Sequence, residues 1–301
     1  GKNGSVSSLK LNPPGRFSQP PRQLLHQIGL QMQGQLRVLR FHAGDIGELD
    51  FVEHTICCGQ NISGADAAHK QSNLAHKRPG QLLIAAGCLS QRNGHDLARQ
   101  VPGLDGVIGT RRWMDIVDLV HRLRARNLPQ PLYHLPDEAR TVGTDERGVS
   151  RVAVQGASAY LKIADGCRRP CAFCAIPAIK GTAVSRPAER IVAEARALRD
   201  RGVQELILIA QDTTDYGHDL GLRDGLAHLL EQIVAAVPDL PWLRVMYAYP
   251  GCVTDRLIDT MAAHPQIVPY LDIPLQHADR RTLRRMRRPA DVDWVRATVA
   301  R

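Results

Sequence analysis

The sequence predicts an α/β protein: a partial (β/α) barrel preceded by a small α/β unit. Two observations carry this. Across residues 159–288 four short apolar runs, "AYLKIAD", "ELILIA", "LRVMYAY" and "YLDIPL", each precede a stretch with helical spacing, and successive strand–helix units of this kind build a parallel sheet that curls toward a barrel. Residues 80–126 repeat the alternation on a smaller scale, as "QLLIAAG", "HDLARQV", "GVIG" and "RRWMDIVDLVHRLRAR".

Residues 1–79 come first and read as an irregular segment. Stretches such as "PPGRFSQPPRQLLHQ" are rich in Gly, Pro, Ser and Gln, hold no sustained period, and leave only "QLRVLRFHAG" as a strand. In residues 80–126, "QLLIAAG" reads as a buried strand, "HDLARQV" as a short helix and "GVIG" as a second strand. The closing helix sets Trp113, Ile116, Val117, Val120 and Leu123 on one face. Residues 127–151, with three prolines and scattered charge, read as a linker. Residues 152–301 then form the core, with helices expected at 187–201, 222–236, 254–264 and 279–287. Ser185 ahead of Pro187, the spacing Ile191, Ala195, Leu198 and the stop at Gly202 mark the first of them. Tyr247 and Tyr249 alternate along the third strand, so core packing is their favoured reading. Lys162 sits on the first strand, where an inward polar position is one reading and is left open.

No run of eighteen apolar residues occurs, and the N-terminus lacks an apolar signal segment. A cytoplasmic protein without a membrane partner is expected. The seven cysteines are odd in number and uneven in spacing, which argues against a secreted disulfide framework and for free thiols. The net charge is +9, and residues 279–301 hold eight arginines against three aspartates. That segment suits RNA contact and equally a solvated helix face.

The stretch "DGCRRPCAFCAIP" places Cys167, Cys171 and Cys174 directly after the first barrel strand, at the end where such folds keep their chemistry. Structural zinc takes four protein ligands, commonly from two paired C-x2-C knuckles, and no second pair follows here. Unliganded thiols are disfavoured, because Arg168, Arg169 and Lys180 are expected to lower their pKa values and make them reactive. A 4Fe-4S cluster on three thiolates leaves one iron open for a further ligand.

C-x3-C-x2-C with an aromatic before the last cysteine resembles the signature of the radical S-adenosylmethionine (SAM) superfamily. The flanks "LKIADGCRRPCAFCAIPAIKG", "SRPAERIVAEARAL", "ELILIAQDTTDYG", "MYAYPGCVTDRLIDTM" and "YLDIPLQHADRRTLRRMRRP" resemble its methylthiotransferase family, and "AQDTTDYG" and "YLDIPLQHA" look like the branch that modifies protein. The resemblance implies a radical-SAM barrel in which the open iron binds SAM, and one-electron cleavage yields a 5'-deoxyadenosyl radical. It further implies a methylthio group placed on the β-carbon of an aspartate of ribosomal protein S-twelve in the small ribosomal subunit, with an external electron donor. Cys167, Cys171 and Cys174 become the iron ligands, with Phe173 beside the SAM adenine. Gln211, Asp212 and Thr213 would hold SAM polar groups, and Gln276 and His277 would reach SAM or the target. Each has an ordinary alternative in packing, turn capping or surface exposure. Cys252 reads as a spectator.

The resemblance also implies a second 4Fe-4S cluster on three cysteines of the N-terminal domain, the source or carrier of the sulfur. Residues 80–126 would be the remainder of that domain, with Cys88 the third ligand. Cys57 or Cys58 precedes it by about thirty residues, and no cysteine precedes those two; adjacent residues in an extended segment point to opposite sides, which suits them poorly as joint ligands. The family continues with two more βα units and a TRAM domain, so an incomplete core without TRAM is expected. A tRNA methylthiotransferase and an inactive iron–sulfur fragment are the alternatives.

Overall fold

The computed structural model describes residues 37–41, 80–101, 103–125, 131–136, 152–289 and 292–301. Cys57 and Cys58 lie outside them. The N-terminal unit is a sheet in the order β1 (Arg37–Phe41), β2 (Leu82–Ala86), β3 (Gly106–Ile108), β4 (Leu132–His134), with β1 antiparallel to β2 and the other pairs parallel. Side chains alternate across a strand, so β2 feeds two cores. Leu83 and Ala85 pack with Leu97, Val101 and Val107, while Ile84 and Ala86 pack with Ile108, Trp113, Met114 and Leu119. Helices α1 (Cys88–Gln100) and α2 (Ile116–Ala125) supply these two cores, which is why "QLLIAAG" is apolar on both faces.

Two expectations change here. Residues 127–151 are not wholly a linker, because Leu132–His134 completes the sheet beside β3; a three-residue strand is too short to announce itself by period. The helix expected over "HDLARQV" begins at Cys88 and passes a non-helical Asn93, which interrupts its apolar spacing.

The larger unit is a five-stranded sheet in the order β11-β10-β9-β6-β5. Its strands are β5 (Val152–Gln155), β6 (Ser158–Lys162), β9 (Glu205–Ile209), β10 (Trp242–Val245) and β11 (Ile267–Leu271), all parallel except β5. A short hairpin of β7 (Ala164–Asp165) and β8 (Val184–Ser185) brackets the cysteine loop and helix α3 (Ile176–Lys180). Helices α4 (Ala188–Asp200), α5 (Gly225–Ala236) and α6 (Asp255–Ala263) cover one sheet face. There Leu161, Ile163, Leu206, Leu208, Leu243 and Val245 meet Ile191, Leu198, Leu230 and Ile233. The opposite face is polar at its base, where Glu205 accepts from Ser158 Oγ at 2.8 Å and Arg244 Nε at 2.7 Å. Helices α7 (Arg280–Arg285) and α8 (Val292–Ala300) complete the chain. No described helix is long and apolar enough to cross a membrane.

The third and fourth strands stop earlier than their apolar runs. β10 ends at Val245 and β11 at Leu271, so Tyr247, Tyr249, Gln276 and His277 all stand on loops. Tyr247 (φ 62°) and Gln276 (φ 74°) adopt left-handed backbone, which breaks a ladder that the side-chain pattern would have continued. Ser185 does not cap α4: Pro187 holds the cap position, and the Ser185 hydroxyl instead accepts from Gly217 N at 2.8 Å.

Candidate functional site

The cysteine loop starts from a forced turn. Gly166 has φ 77°, and a Cβ there would lie 2.0 Å from the Thr182 carbonyl oxygen, so the chain doubles back only with glycine. Cys167 follows, buried, with its N–H donating to Gly181 O at 3.1 Å. Cys171 is half-buried and Cys174 exposed, joined by a bond from Cys174 N to Cys171 O at 3.1 Å. Ala172 N donates to Met286 O at 3.0 Å, which docks the loop on the turn after α7.

Two N–H donors and one phenol hydroxyl face the sulfurs. Arg169 N lies 3.4 Å from Cys167 Sγ, Arg288 Nη1 lies 3.6 Å from Cys171 Sγ, and Tyr249 Oη stands 4.0 Å from Cys171 Sγ. Donors of this kind stabilise thiolates that carry iron. Among the described residues no three His, Cys, Asp or Glu side chains close on a single metal ion. The chemistry of the loop, three thiols on one turn with hydrogen-bond donors at two of them, fits a cluster held at separate irons.

The expectation that neighbouring cations lower the thiol pKa values is corrected at Cys167. Arg168 gives Nε and Nη2 to Asp215 at 2.7 to 2.9 Å. Arg169 Nε donates to Asp212 at 2.6 Å and its Nη2 to Asp215 at 3.3 Å. Lys180 and Lys162 both hold Asp165, at 2.8 and 2.6 Å, whose carboxyl is kept well below the usual range despite burial, because two ammonium groups flank it. With these charges spent, burial pushes the Cys167 thiol up, and the Asp212 carboxylate adds to the rise against the Arg169 N–H.

Gln211 follows β9 with its Oε1 buried and without a partner among the described residues. Asp212 is occupied by Arg169 and by Thr214 Oγ1 at 2.5 Å, and Thr213 Oγ1 donates to Met246 O at 2.8 Å. Both therefore tie the end of β9 to its surroundings. Phe173 is 53% exposed beside the thiols. Gln276 and His277 are exposed, and His277 Nδ1 accepts from Asp279 N at 2.9 Å ahead of α7. Cys88 is buried at the start of α1, the helix that packs on α3. Across that contact Arg111 donates to Ile179 O and Ala178 O, each at 2.9 Å.

Sequence reasoning misplaced Tyr247, which is exposed rather than in the core, and Tyr249. The Tyr249 ring does not enter the core but lies under two guanidinium groups, Arg169 at 4.4 Å and Arg288 at 4.3 Å. Cys252 lines a cavity of about 250 Å³ behind the loop, with Arg168, Arg169, Asp224 and Thr254; neither the three loop thiols nor Gln211 line it. Burial pushes the Cys252 thiol up as well. In the sequence Arg288 is only one charge in a basic segment. No local pattern announces it, because 117 residues separate it from Cys171.

Residues 161–301 match the Radical SAM superfamily model. The chain is 49% identical over 234 residues to the ribosomal protein uS12 methylthiotransferase RimO of Chloroflexus aurantiacus, covering 74% of this chain and 51% of that protein. It is 48% identical over 242 residues to RimO of a Roseiflexus species, covering 75% and 51%. The chain thus spans about half the length of the curated relatives it matches. Among solved structures, the radical S-adenosylmethionine methyltransferase TsrM of Kitasatospora setae, with tryptophan and a SAM analogue bound, aligns at a TM-score of 0.48 and 17% identity, over 66% of this chain and 42% of that one. With three thiols on one glycine-turned loop and a family model that begins on the strand before them, residues 161–301 are similar to the radical SAM superfamily, and the chain is similar to the RimO methylthiotransferases over about half their length.

Proposed function

We propose that this chain carries the radical-forming part of an enzyme that adds a methylthio group to the β-carbon of an aspartate in ribosomal protein uS12. The observation that supports this most is the cysteine loop: its thiols stand at the C-terminal end of the sheet with donors at Cys167 and Cys171, in a chain 49% identical to RimO across that region.

When bound, the cluster and SAM supply a 5'-deoxyadenosyl radical that takes hydrogen from the substrate carbon. The chain's own residues do the rest. Cys167, Cys171 and Cys174 hold three irons and leave the fourth for SAM. Gln211, an unpaired buried acceptor, receives the SAM ammonium, since leaving that oxygen orphaned is costly. Asp212 and Thr213 act at one remove, fixing the loop that presents Gln211. Phe173 packs beside the adenine. Gln276 and His277 stand at the rim, where substrate enters.

Cys88, carried by the helix that rests on α3, serves the second cluster, with Cys57 or Cys58. Of the eight C-terminal arginines, Arg280 and Arg296 pair with Asp293, Arg301 pairs with Asp255 and Asp259, and Arg288 turns inward. This thins the basic face on which a tRNA substrate would depend.

The test is anaerobic reconstitution with iron and sulfide, followed by an iron count, a 5'-deoxyadenosine assay, and mass spectrometry of a uS12 peptide and of tRNA. About four irons and SAM cleavage are expected for the radical site alone, and about eight irons if the second site fills. Absence of cleavage with all three loop cysteines intact would reject the reading, and a methylthio group on tRNA would reassign the substrate.

A further inference from the structure

We infer that Arg288, seated on Tyr249, is a positioning residue for the Cys171 thiolate and raises the reduction potential of the cluster bound there. The inference rests on the radical SAM reading above and deepens it. Arg288 is only 9% exposed. Unlike Arg168 and Arg169, which spend their charge on Asp215 and Asp212, it has no carboxylate partner among the described residues. Nη2 donates to Pro274 O, Nη1 faces Cys171 Sγ at 3.6 Å, and Nε is buried without a partner.

A buried cation that lacks an anion is expensive. Tyr249 offsets part of that cost, its ring 4.3 Å from the guanidinium carbon, and the remainder calls for negative charge at Cys171. A cysteine thiolate on an iron–sulfur cluster supplies it. The segment is built to hold this position: Arg287 takes left-handed backbone at φ 53°, and the preceding Met286 carbonyl receives Ala172 N from the cysteine loop. A hydrogen bond and a positive charge at a ligand sulfur favour the reduced cluster, which carries one more negative charge. Arg288 therefore eases the reduction of the cluster by its electron donor.

The test uses the full chain, reconstituted with iron and sulfide and titrated with titanium(III) citrate. Titanium(III) gives up one electron to become titanium(IV), the cluster gains it, and electron paramagnetic resonance reads the midpoint. The wild-type iron count tests the radical SAM reading; the variants test this inference. Arg288→Gln is expected to retain its iron and to shift the midpoint downward, with the one-electron reduction equilibrium about tenfold less favourable, about 59 mV. Arg288→Lys, which keeps the charge but loses the fork, is expected to recover part of the shift. A wild-type midpoint in Arg288→Gln at full iron overturns the inference. If Arg288→Gln holds no iron, an unchanged melting temperature supports the assignment. A fallen one passes the decision to Tyr249→Leu compared with Tyr249→Phe, which loses the hydroxyl but keeps the ring beneath Arg288: a midpoint lower in the leucine variant than in the phenylalanine variant supports the inference, whereas equal midpoints, or loss of iron with lowered melting temperature in the leucine variant, leave Arg288 a purely structural role and overturn it.

Discussion

Each thiol of the loop has its own surroundings, and these set what a substitution does. Cys167 is buried and takes an N–H from Arg169, whereas Cys174 is exposed. Serine at either position is expected to cut the iron of the reconstituted chain from about four to below one, because three ligands is the minimum for this cluster; melting should fall more for Cys167→Ser, whose hydroxyl would be buried. Gly166→Ala is expected to be worse than any single ligand change. Its Cβ would meet backbone at 2.0 Å in a left-handed conformation, so the turn must open, with a loss of about 2 kcal/mol or more and no cluster. Gln211→Ala carries the opposite signature. Its Oε1 has no partner to lose among the described residues, so stability should hold within about 0.5 kcal/mol, while SAM binding by calorimetry weakens about tenfold.

At the scale of elements, short pieces hold position through polar contacts that their lengths cannot supply. β4 is three residues long, and its His134 Nε2 lies 2.7 Å from Asp115, which also takes Arg112 Nε at 2.9 Å. Burial alone would raise the Asp115 pKa, but the bonds to Arg112 and His134 outweigh it and hold the carboxyl below its ordinary 3.8. A depressed carboxyl contributes stability that is complete above the unfolded value and lost as pH falls through the folded one. The N-terminal unit should therefore melt at constant temperature above about pH 4 and lower below it, and Asp115→Asn should flatten that dependence. Arg111 is the corresponding fastener between units. Arg111→Ala removes its two bonds to α3, and faster hydrogen exchange in Ile176–Lys180 is the expected readout.

The whole molecule has its apolar cores on separate sheets. One joins the five-stranded sheet to α4, α5 and α6, and two flank the four-stranded sheet. Units with their own cores and a polar contact between them unfold as separate steps, so calorimetry is expected to resolve two transitions. Leu230→Ala should lower one and Ile84→Ala the other, each by the equivalent of about 2–5 kcal/mol. A single transition moved equally by both variants would contradict this division.

The sequence by itself determined the alternation of strands and helices from residue 159 onward and the identity of the three thiols. Both are local facts: apolar period fixes which face a strand buries, and C-x3-C-x2-C lies within eight residues. It left the strand ends, β4 and Ser185 misread, because hydrogen bonds from distant residues decided them. Only tertiary structure decided that Arg168 and Arg169 are neutralised while Arg288 has no carboxylate partner among the described residues, and that Tyr249 leaves the core to lie beneath two guanidinium groups. Charge pairing and ring stacking act over a few ångströms of space, and the partners here stand 39 to 117 residues apart along the chain.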